Sequence, residues 1–168
     1  MLHFETECGA FSIRLALENA PITAGYFKAL AAQGAFDGTS FFRVVAEDNA
    51  SLRSHTPIEV VQGGLRETDP QPIPPIDHEP TTQTGLRHNK WAVSAARYGP
   101  GETYGSFFIC MRHEPALDYG GARHPDGLGF AVFGEVVAGF ETIKAVFERR
   151  EPEEMLQDQI VIHKCRLG

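Results

Sequence analysis

The sequence predicts a mainly β protein whose strands close into a barrel. Short apolar segments that alternate with period two recur along the whole chain, which is the pattern of strands with one buried face. Only two segments, far apart in the chain, carry helical spacing instead. Many short strands joined by glycine- and proline-rich loops favour a barrel over a parallel α/β sheet, in which helices and strands alternate.

Length and composition fit one domain with a filled core. The chain has 168 residues, of which 42% are hydrophobic and 10% aromatic. It shows no internal repeat and no linker-like segment. We therefore predict a single domain over residues 1–168, and we expect it to be a monomer.

Charge and cysteine content exclude several classes of function. A net charge of −7 argues against nucleic acid or an anionic membrane as the main partner, because both require clustered lysine and arginine. Cys8, Cys110 and Cys165 are odd in number and lack CxxC spacing, so no disulfide framework or zinc site is implied. No signal-peptide pattern and no membrane-length apolar run is present, so we expect a reducing, cytoplasmic location.

The first quarter of the chain predicts a hairpin, a helix and a strand. Leu2–Thr6 alternates, and a period-two pattern returns over residues 10–17, so these two segments form the hairpin. A helix opens at residues 20–23 and ends at Gly34 as a C-cap. Residues 39–45 are predicted to form the next strand.

The middle of the chain consists of strands separated by long loops. Residues 46–57 are polar and turn-rich, and residues 58–62 resume the strand pattern. Residues 65–90 contain five prolines and few apolar residues, so we expect no helix there and a path over the surface. Two further strands, at 91–95 and 107–111, flank a Gly-Pro-Gly loop.

The last third adds a loop, a strand, a helix and a final strand. Residues 112–129 form a second long loop, and residues 130–137 a strand. Helical spacing from 139 to 149 predicts the second helix, and alternation over 160–165 predicts the last strand.

Three of these strands contain residues that suit a ligand groove. Arg43 interrupts the apolar run 41–45, and Gln62 stands before two glycines; the alternatives are a surface arginine and a plain strand-end residue. Phe107 and Phe108 alternate, so one of the two must face the interior. A cationic donor, an amide and an aromatic wall together suit a peptide ligand, in particular one that contains proline.

Five segments, in this order, resemble the cyclophilin-type peptidyl-prolyl cis-trans isomerases. The likeness runs from Phe4 to Ile162 and so covers nearly the whole chain. It implies a closed eight-stranded antiparallel barrel capped at each end by an α-helix, with the peptide groove on the outside of the barrel. The matching segments are 41–45, 61–64, 93–97, 106–110 and 131–137.

The resemblance also implies which residues act on a substrate. It gives the catalytic roles to Arg43, Gln62 and Phe108, with Phe108 as the pocket-facing member of the phenylalanine pair. The arginine would stabilise the twisted X-Pro amide, the glutamine would bind the substrate backbone, and the phenylalanine would contact the proline ring. The implied substrate-binding residues are Val60, Ala96, Arg97, Ser106, Leu117 and Phe130.

Three departures from the family pattern bear on catalysis and drug binding. Ala116 replaces the tryptophan that contacts cyclosporin, and residues 46–57 are an insertion after Arg43. Glu59 stands where the family has a pocket phenylalanine. Because a carboxylate in an apolar pocket is costly unless paired, we expect Glu59 either to brace Arg43 from behind, with Ile58 or the insertion filling the gap, or to be solvated.

Two functions from different classes fit these observations. The first is isomerisation of X-Pro bonds in peptides and in unfolded or folding proteins, with no cofactor and no metal. The second is a proline-peptide-binding module on the same barrel with little or no turnover. Retention of Arg43, Gln62 and Phe108 favours the enzyme, whereas Glu59 and the insertion favour the binding module. The histidines lack metal-binding spacing, and the glycines lack a dinucleotide fingerprint.

Overall fold

Eight antiparallel strands form a closed barrel in a computed structural model that describes residues 1–50 and 56–168. The strands are β1 Leu2–Thr6, β2 Gly9–Leu15, β3 Ser40–Val45, β4 Val60–Gly64, β5 Ala92–Arg97, β6 Thr103–Cys110, β7 Ala131–Ala138 and β8 Met155–Leu167. Around the barrel their order is β1-β2-β7-β5-β6-β4-β3-β8, and the pairing of β1 with β8 closes it. The predicted fold class is therefore confirmed.

Two longer helices pack against the barrel, as predicted. Helix α1, Pro21–Ala32, packs on β7 and β8, and a second helix, Phe140–Glu148, packs on β2 and β4. Proline suits the first turn of α1, because an N–H there would have no helical partner. The chain leaves α1 through Gly34, whose φ of +69° favours glycine. None of the helices in the described ranges is long and apolar enough to cross a membrane.

One additional helix, and two strand boundaries that are displaced by more than two residues, differ most from the sequence predictions. A single turn, α2 Thr81–Thr84, lies within residues 65–90, where no helix was expected; Pro80 stands just before it and so removes no helical hydrogen bond. The helix Phe140–Glu148 is thus α3 in chain order. Strand β8 begins at Met155 and β6 at Thr103, both earlier than predicted. The first residues of β8 are mostly exposed, so apolar alternation does not reveal them.

Phenylalanine rings fill the interior of the barrel. Phe27 stacks on Phe133 with ring centroids 4.0 Å apart, and Phe4 stacks on Phe11 at 4.7 Å. A barrel of this size is filled by its own side chains, so its interior leaves no room for a ligand. The fully buried phenylalanines are Phe4, Phe11, Phe27, Phe36, Phe41, Phe107 and Phe133.

A second apolar cluster, here called the groove floor, lies on the outer face of the same strands. Neighbours in β6 divide between the two clusters, with Phe107 in the interior and Phe108 in the groove floor. Strand alternation produces this division. The groove floor consists of Val45, Ile58, Val60, Ala92, Ala96, Tyr104, Phe108, Cys110, Leu117 and Val132.

A register shift in β3 brings two consecutive residues to the groove. In β3 the register shifts between Phe41 and Arg43 against both neighbouring strands, and Phe42 and Arg43 both line one outer cavity. A β-bulge adds a residue to one strand, which lets two neighbours share a face.

Candidate active site

One cavity on the outside of the barrel collects the predicted site residues. It has a volume of about 370 Å³ and lies over the groove floor. All the predicted catalytic and substrate-binding residues except Ser106 line it, namely Arg43, Gln62, Phe108, Val60, Ala96, Arg97, Leu117 and Phe130.

The guanidinium of Arg43 is fixed from two sides at the cavity wall. Its Nη1 donates to Oε1 of Gln62 at 3.1 Å. Its Nε and Nη2 both donate to Oε2 of Glu154, at 3.0 and 2.6 Å. Arg43 pairs across the sheet with Gln62 in β4 and with Met155 in β8. The strands on either side of β3 thus each bring one partner to this guanidinium.

Ser106 holds Gln62 in turn. Nε2 of Gln62 donates to Oγ of Ser106 at 2.9 Å. Ser106 is fully buried and, unlike the other predicted site residues, does not line the cavity. Residue 63 must be glycine for the strands to approach this closely, because a Cβ there would lie 2.8 Å from the ring of Phe41.

Phe108, Leu117 and Phe130 form an apolar wall of the cavity. The rings of Phe108 and Phe130 meet edge to face with centroids 5.5 Å apart. Phe108 is 6% exposed and Leu117 1% exposed, so both are held firmly by their neighbours. Such a wall offers an apolar surface to a small ring like that of proline.

A buried histidine supports Phe108 from behind. The ring of His88 stacks on Phe108 at 6.0 Å. Its Nδ1 lies 2.7 Å from Oδ1 of Asp118 and its Nε2 lies 2.9 Å from Oγ of Ser94. Burial lowers the pKa of His88, although the Asp118 carboxylate opposes this. Ser94 and His88 are fully buried, so this trio supports the wall and cannot reach a substrate as a nucleophile.

The side chain of Arg97 is used within the protein. Its guanidinium is fully buried and donates to both carboxylate oxygens of Asp126, at 2.7 and 2.9 Å. It also donates to the carbonyl oxygen of Gly129 and lies over the ring of Phe130, 5.3 Å from its centroid. The pairing holds the pKa of Asp126 well below its usual range. The side chain of Arg97 therefore positions Phe130 and is not available to a ligand.

The carboxylate that pairs with Arg43 is Glu154, not Glu59 as the first alternative predicted. Glu59 precedes β4, whereas the residue in register with Arg43 is Gln62, further along that strand. The backbone N–H of Glu59 donates to Oε1 of Glu114 at 2.7 Å. The position of Glu59 is therefore fixed by its backbone, outside the wall of the cavity.

Sequence reasoning missed several residues that line the cavity and also Glu154, which holds Arg43. Glu154 gave no signal, because it is one of several glutamates before β8 and the pairing of β3 with β8 is not readable locally. Ile58 lines the cavity. It was one of the two alternatives predicted to fill the gap left where Glu59 replaces the family's phenylalanine. The predicted insertion 46–57 lies partly at 51–55, outside the described residues. Further lining residues are Phe42, Arg66, Glu67, Thr68, Tyr98, Tyr104, Arg123 and Met155.

Metal-binding and thiol groups do not contribute to the cavity. Within residues 1–50 and 56–168, no three His, Cys, Asp or Glu side chains are grouped to hold a metal ion. Cys8, Cys110 and Cys165 are free thiols. Burial raises the pKa of Cys165 to about 12 and also raises that of Cys110, so both stay protonated at neutral pH.

Sequence comparisons identify relatives over nearly the full chain. The family model for cyclophilin type peptidyl-prolyl cis-trans isomerase/CLD matches residues 1–167. The peptidyl-prolyl cis-trans isomerase cyp18 of Streptomyces antibioticus is 30% identical over 149 residues, which cover 86% of this chain and 81% of that protein. A peptidyl-prolyl cis-trans isomerase-like 1 of Aspergillus fumigatus is 26% identical over 166 residues, or 98% and 92% of the two chains.

A solved structure shows the same fold. The cyclophilin type peptidyl-prolyl cis-trans isomerase of Cryptosporidium parvum, determined in the presence of the dipeptide Ala-Pro, matches with a TM-score of 0.78. The match covers 99% of this chain and 98% of that one at 20% identity, so it bears on the fold alone. Together with the family match over residues 1–167, these findings show that the chain belongs to the cyclophilin-type peptidyl-prolyl cis-trans isomerases.

Proposed function

We propose that this isomerase acts in the outer cavity, as a single domain over residues 1–168, on X-Pro bonds of proline-containing peptides and of unfolded or folding proteins. One observation carries the proposal. The guanidinium of Arg43 is held by Gln62 and Glu154 beside an apolar wall that includes Phe108.

The reaction requires selective binding and no bond cleavage. Rotation about an X-Pro bond crosses a barrier of about 18–20 kcal/mol, so uncatalysed exchange takes roughly 10–100 s. In the twisted state the amide loses its conjugation, and its nitrogen becomes more pyramidal and able to accept a hydrogen bond. A catalyst needs only to bind this state better than either planar form. Each tenfold of acceleration requires about 1.4 kcal/mol of such selectivity.

Arg43 supplies the donor for the twisted amide. Nη1 and Nη2 each use one N–H on Gln62 or Glu154, which leaves one N–H on each nitrogen for a substrate. Because the guanidinium is already held in place, it need not reorganise as the amide twists. The amide of Gln62 lies beside it and can bind the substrate backbone.

The apolar wall holds the proline ring while the bond rotates. Phe108, Leu117 and Val60 belong to the groove floor, and Phe130 packs against it. Fixing the ring at this wall makes the other side of the X-Pro bond the part that turns. The backbone at Ala96 lies at the same cavity and binds the extended peptide.

Exchange NMR on an Ala-Pro peptide tests this function. EDTA-treated protein should accelerate cis-trans exchange, and Arg43→Ala should lower the rate roughly tenfold or more while the melting temperature stays near that of the wild type. Arg14→Ala is the matched control, since Arg14 is an exposed arginine paired with Glu135 outside this cavity. Wild-type turnover by Arg43→Ala would falsify the proposed mechanism.

A proline-peptide-binding module with little turnover is the second candidate. The observation that favours it is the Glu154 carboxylate, which compensates the charge that Arg43 offers to a substrate. NMR of the Ala-Pro peptide at increasing protein concentration separates the two functions. A binding module shifts the peptide resonances without increasing the exchange rate, whereas an enzyme changes both.

We extend the proposal to a monomer in the reducing environment of the cytoplasm. The free thiols Cys8, Cys110 and Cys165 support a reducing compartment. All residues of the proposed cavity come from one chain, so a monomer suffices for activity. Light scattering of the purified protein tests the monomer, and cell fractionation tests the compartment.

A further inference from the structure

We propose that Glu154 is a positioning residue for the isomerase reaction, and this inference rests on the function proposed above. It fixes the guanidinium of Arg43 in the orientation that meets the twisted amide. Its effect falls on the catalytic step more than on peptide binding.

The hydrogen bonds of Arg43 carry the proposal. Oε2 of Glu154 accepts from both Nε and Nη2, so this edge of the planar guanidinium is held at two points. Gln62 holds Nη1. A planar group bound along one edge and at a third nitrogen cannot rotate about its own axis, so the remaining N–H groups keep a fixed direction.

The backbone of Glu154 is anchored to the strand that carries Arg43. The N–H of Val44, the residue after Arg43, donates to the carbonyl oxygen of Glu154 at 2.9 Å. Met155 then opens β8 and pairs with Arg43. The pairing of β3 with β8 therefore places the carboxylate, and its distance from the guanidinium does not depend on a free loop.

Burial makes the ion pair more than a surface contact. The side chain of Glu154 is 14% exposed and that of Arg43 29% exposed. Water screens such a pair less than it screens a fully exposed one. Arg43 therefore has a strong preference for this one orientation.

Glu154 also balances a second guanidinium at the cavity. Arg123 lines the same cavity, and its pKa is lowered first by burial and then by the charge of Arg43, while the charge of Glu154 opposes this. Glu154 thus acts on both arginines. Its removal would weaken the charge compensation of both arginines and would let Arg43 turn away from Arg123.

The kinetic consequence is a change in kcat. A donor that matters mainly in the twisted state lowers kcat when it is misaligned and changes KM little. We expect Glu154→Ala to lower kcat roughly 10-fold to 100-fold, the size of effect that misplacement by about 1 Å produces, with KM within about twofold. Glu154→Gln keeps an amide oxygen as acceptor, so it should recover part of the loss.

The experiment measures kcat and KM for Glu154→Ala and Glu154→Gln. Glu135→Ala is the matched control, because Glu135 also pairs with an arginine but lies outside this cavity; it should behave like the wild type. Combining Glu154→Ala with Arg43→Ala should add little to Arg43→Ala alone, since the glutamate acts through the arginine.

The outcomes separate this proposal from the proposed function. If Arg43→Ala loses activity while Glu154→Ala keeps the wild-type kcat, the positioning role is overturned and the isomerase mechanism stands. If neither variant changes turnover, the proposed mechanism itself fails. If Glu154→Ala does not fold, the Nε–H signal of Arg43 decides the question by ¹⁵N NMR. A slowly exchanging signal in the wild type that is weakened in Glu154→Gln supports the role, and a wild-type signal lost to solvent exchange overturns it.

Discussion

The barrel interior and the groove floor are built from the same strands but differ in chemistry. In the interior, Phe107 packs against other phenylalanines, with Phe4 at 5.5 Å. One residue further along β6, Phe108 packs against Phe130 and against His88, which is hydrogen-bonded in turn. The comparison shows that alternation within one strand separates the residues that hold the barrel closed from those that form the site.

The largest expected effect is the difference between Phe107→Ala and Phe108→Ala in stability and in turnover. Phe107→Ala leaves a cavity in a closed core, so it should lower the free energy of unfolding by about 3–5 kcal/mol and leave the turnover of folded molecules little changed. Phe108→Ala opens into an existing cavity, so it should cost less stability but lower turnover roughly tenfold or more.

Urea unfolding and peptide exchange measure these two quantities on the same samples. Equal losses of stability in the two variants, with turnover unaffected in both, would show that the groove floor is only a second core.

Ser106→Ala tests the support beneath the groove. It removes the acceptor for Nε2 of Gln62 and leaves a buried donor without its partner, which costs about 1–3 kcal/mol of stability. Turnover should fall several-fold because Gln62 and, through it, Arg43 lose orientation.

Ser12→Ala is the matched control for that variant. The Ser12 hydroxyl also shares a hydrogen bond with one side chain, that of His3, and Ser12 lies outside the cavity. We expect its turnover to equal that of the wild type. Wild-type turnover by Ser106→Ala would mean that Gln62 needs no support from below.

Lowering the pH should reduce the stability of the protein through His88, which supports Phe108 of the groove floor. Burial lowers the pKa of His88 in the folded state below the ordinary histidine value of 6.5, so the unfolded chain binds the proton more readily. This contribution to stability is complete above pH 6.5 and is lost as the pH falls from there toward the folded value. The pKa of Asp118 is also lowered, so its contribution is lost only at still lower pH, below 3.8.

Urea unfolding between pH 7 and pH 5 measures that loss. His88→Gln should show a smaller decline with pH than the wild type, because the titrating group is gone. His78, whose pKa is also lowered by burial, retains its own share in both proteins. An identical decline in wild type and His88→Gln would remove His88 from this explanation.

The smallest expected effect concerns the rim of the cavity. Ala116 lies in the short turn Pro115–Leu117, beside Leu117 of the apolar wall. Without an indole there, we expect weak inhibition by cyclosporin, and Ala116→Trp should strengthen binding by about 0.5–1.5 kcal/mol. Inhibition of turnover measures the affinity of cyclosporin for the wild type and for Ala116→Trp. Tight inhibition of the wild type would show that Ala116 is wrongly aligned with the tryptophan of the family.

Much of the fold and part of the site could be predicted from the sequence. Alternation showed that Phe107 and Phe108 face opposite sides, and the family likeness named Phe108 as the outer one. The partner of Arg43 could not be predicted, because Glu154 reaches it only through the pairing of β3 with β8, more than a hundred residues apart. The exposed residues at the start of β8 carry no apolar pattern from which that pairing could be inferred.

The bulge in β3 makes the length of that strand as important as its residues. Phe41 and Val44 belong to the interior cluster, while Phe42 and Arg43 between them line the outer cavity. Deleting one residue between Phe41 and Val44 would restore strict alternation, and only one of the two outward positions would survive. Loss of the Arg43 codon would therefore remove the cation of the site, and loss of the Phe42 codon would remove its neighbour on the same face. Loops outside the strands can change length without this consequence, so lineages of this protein should vary in loop length while β3 keeps a constant count of residues.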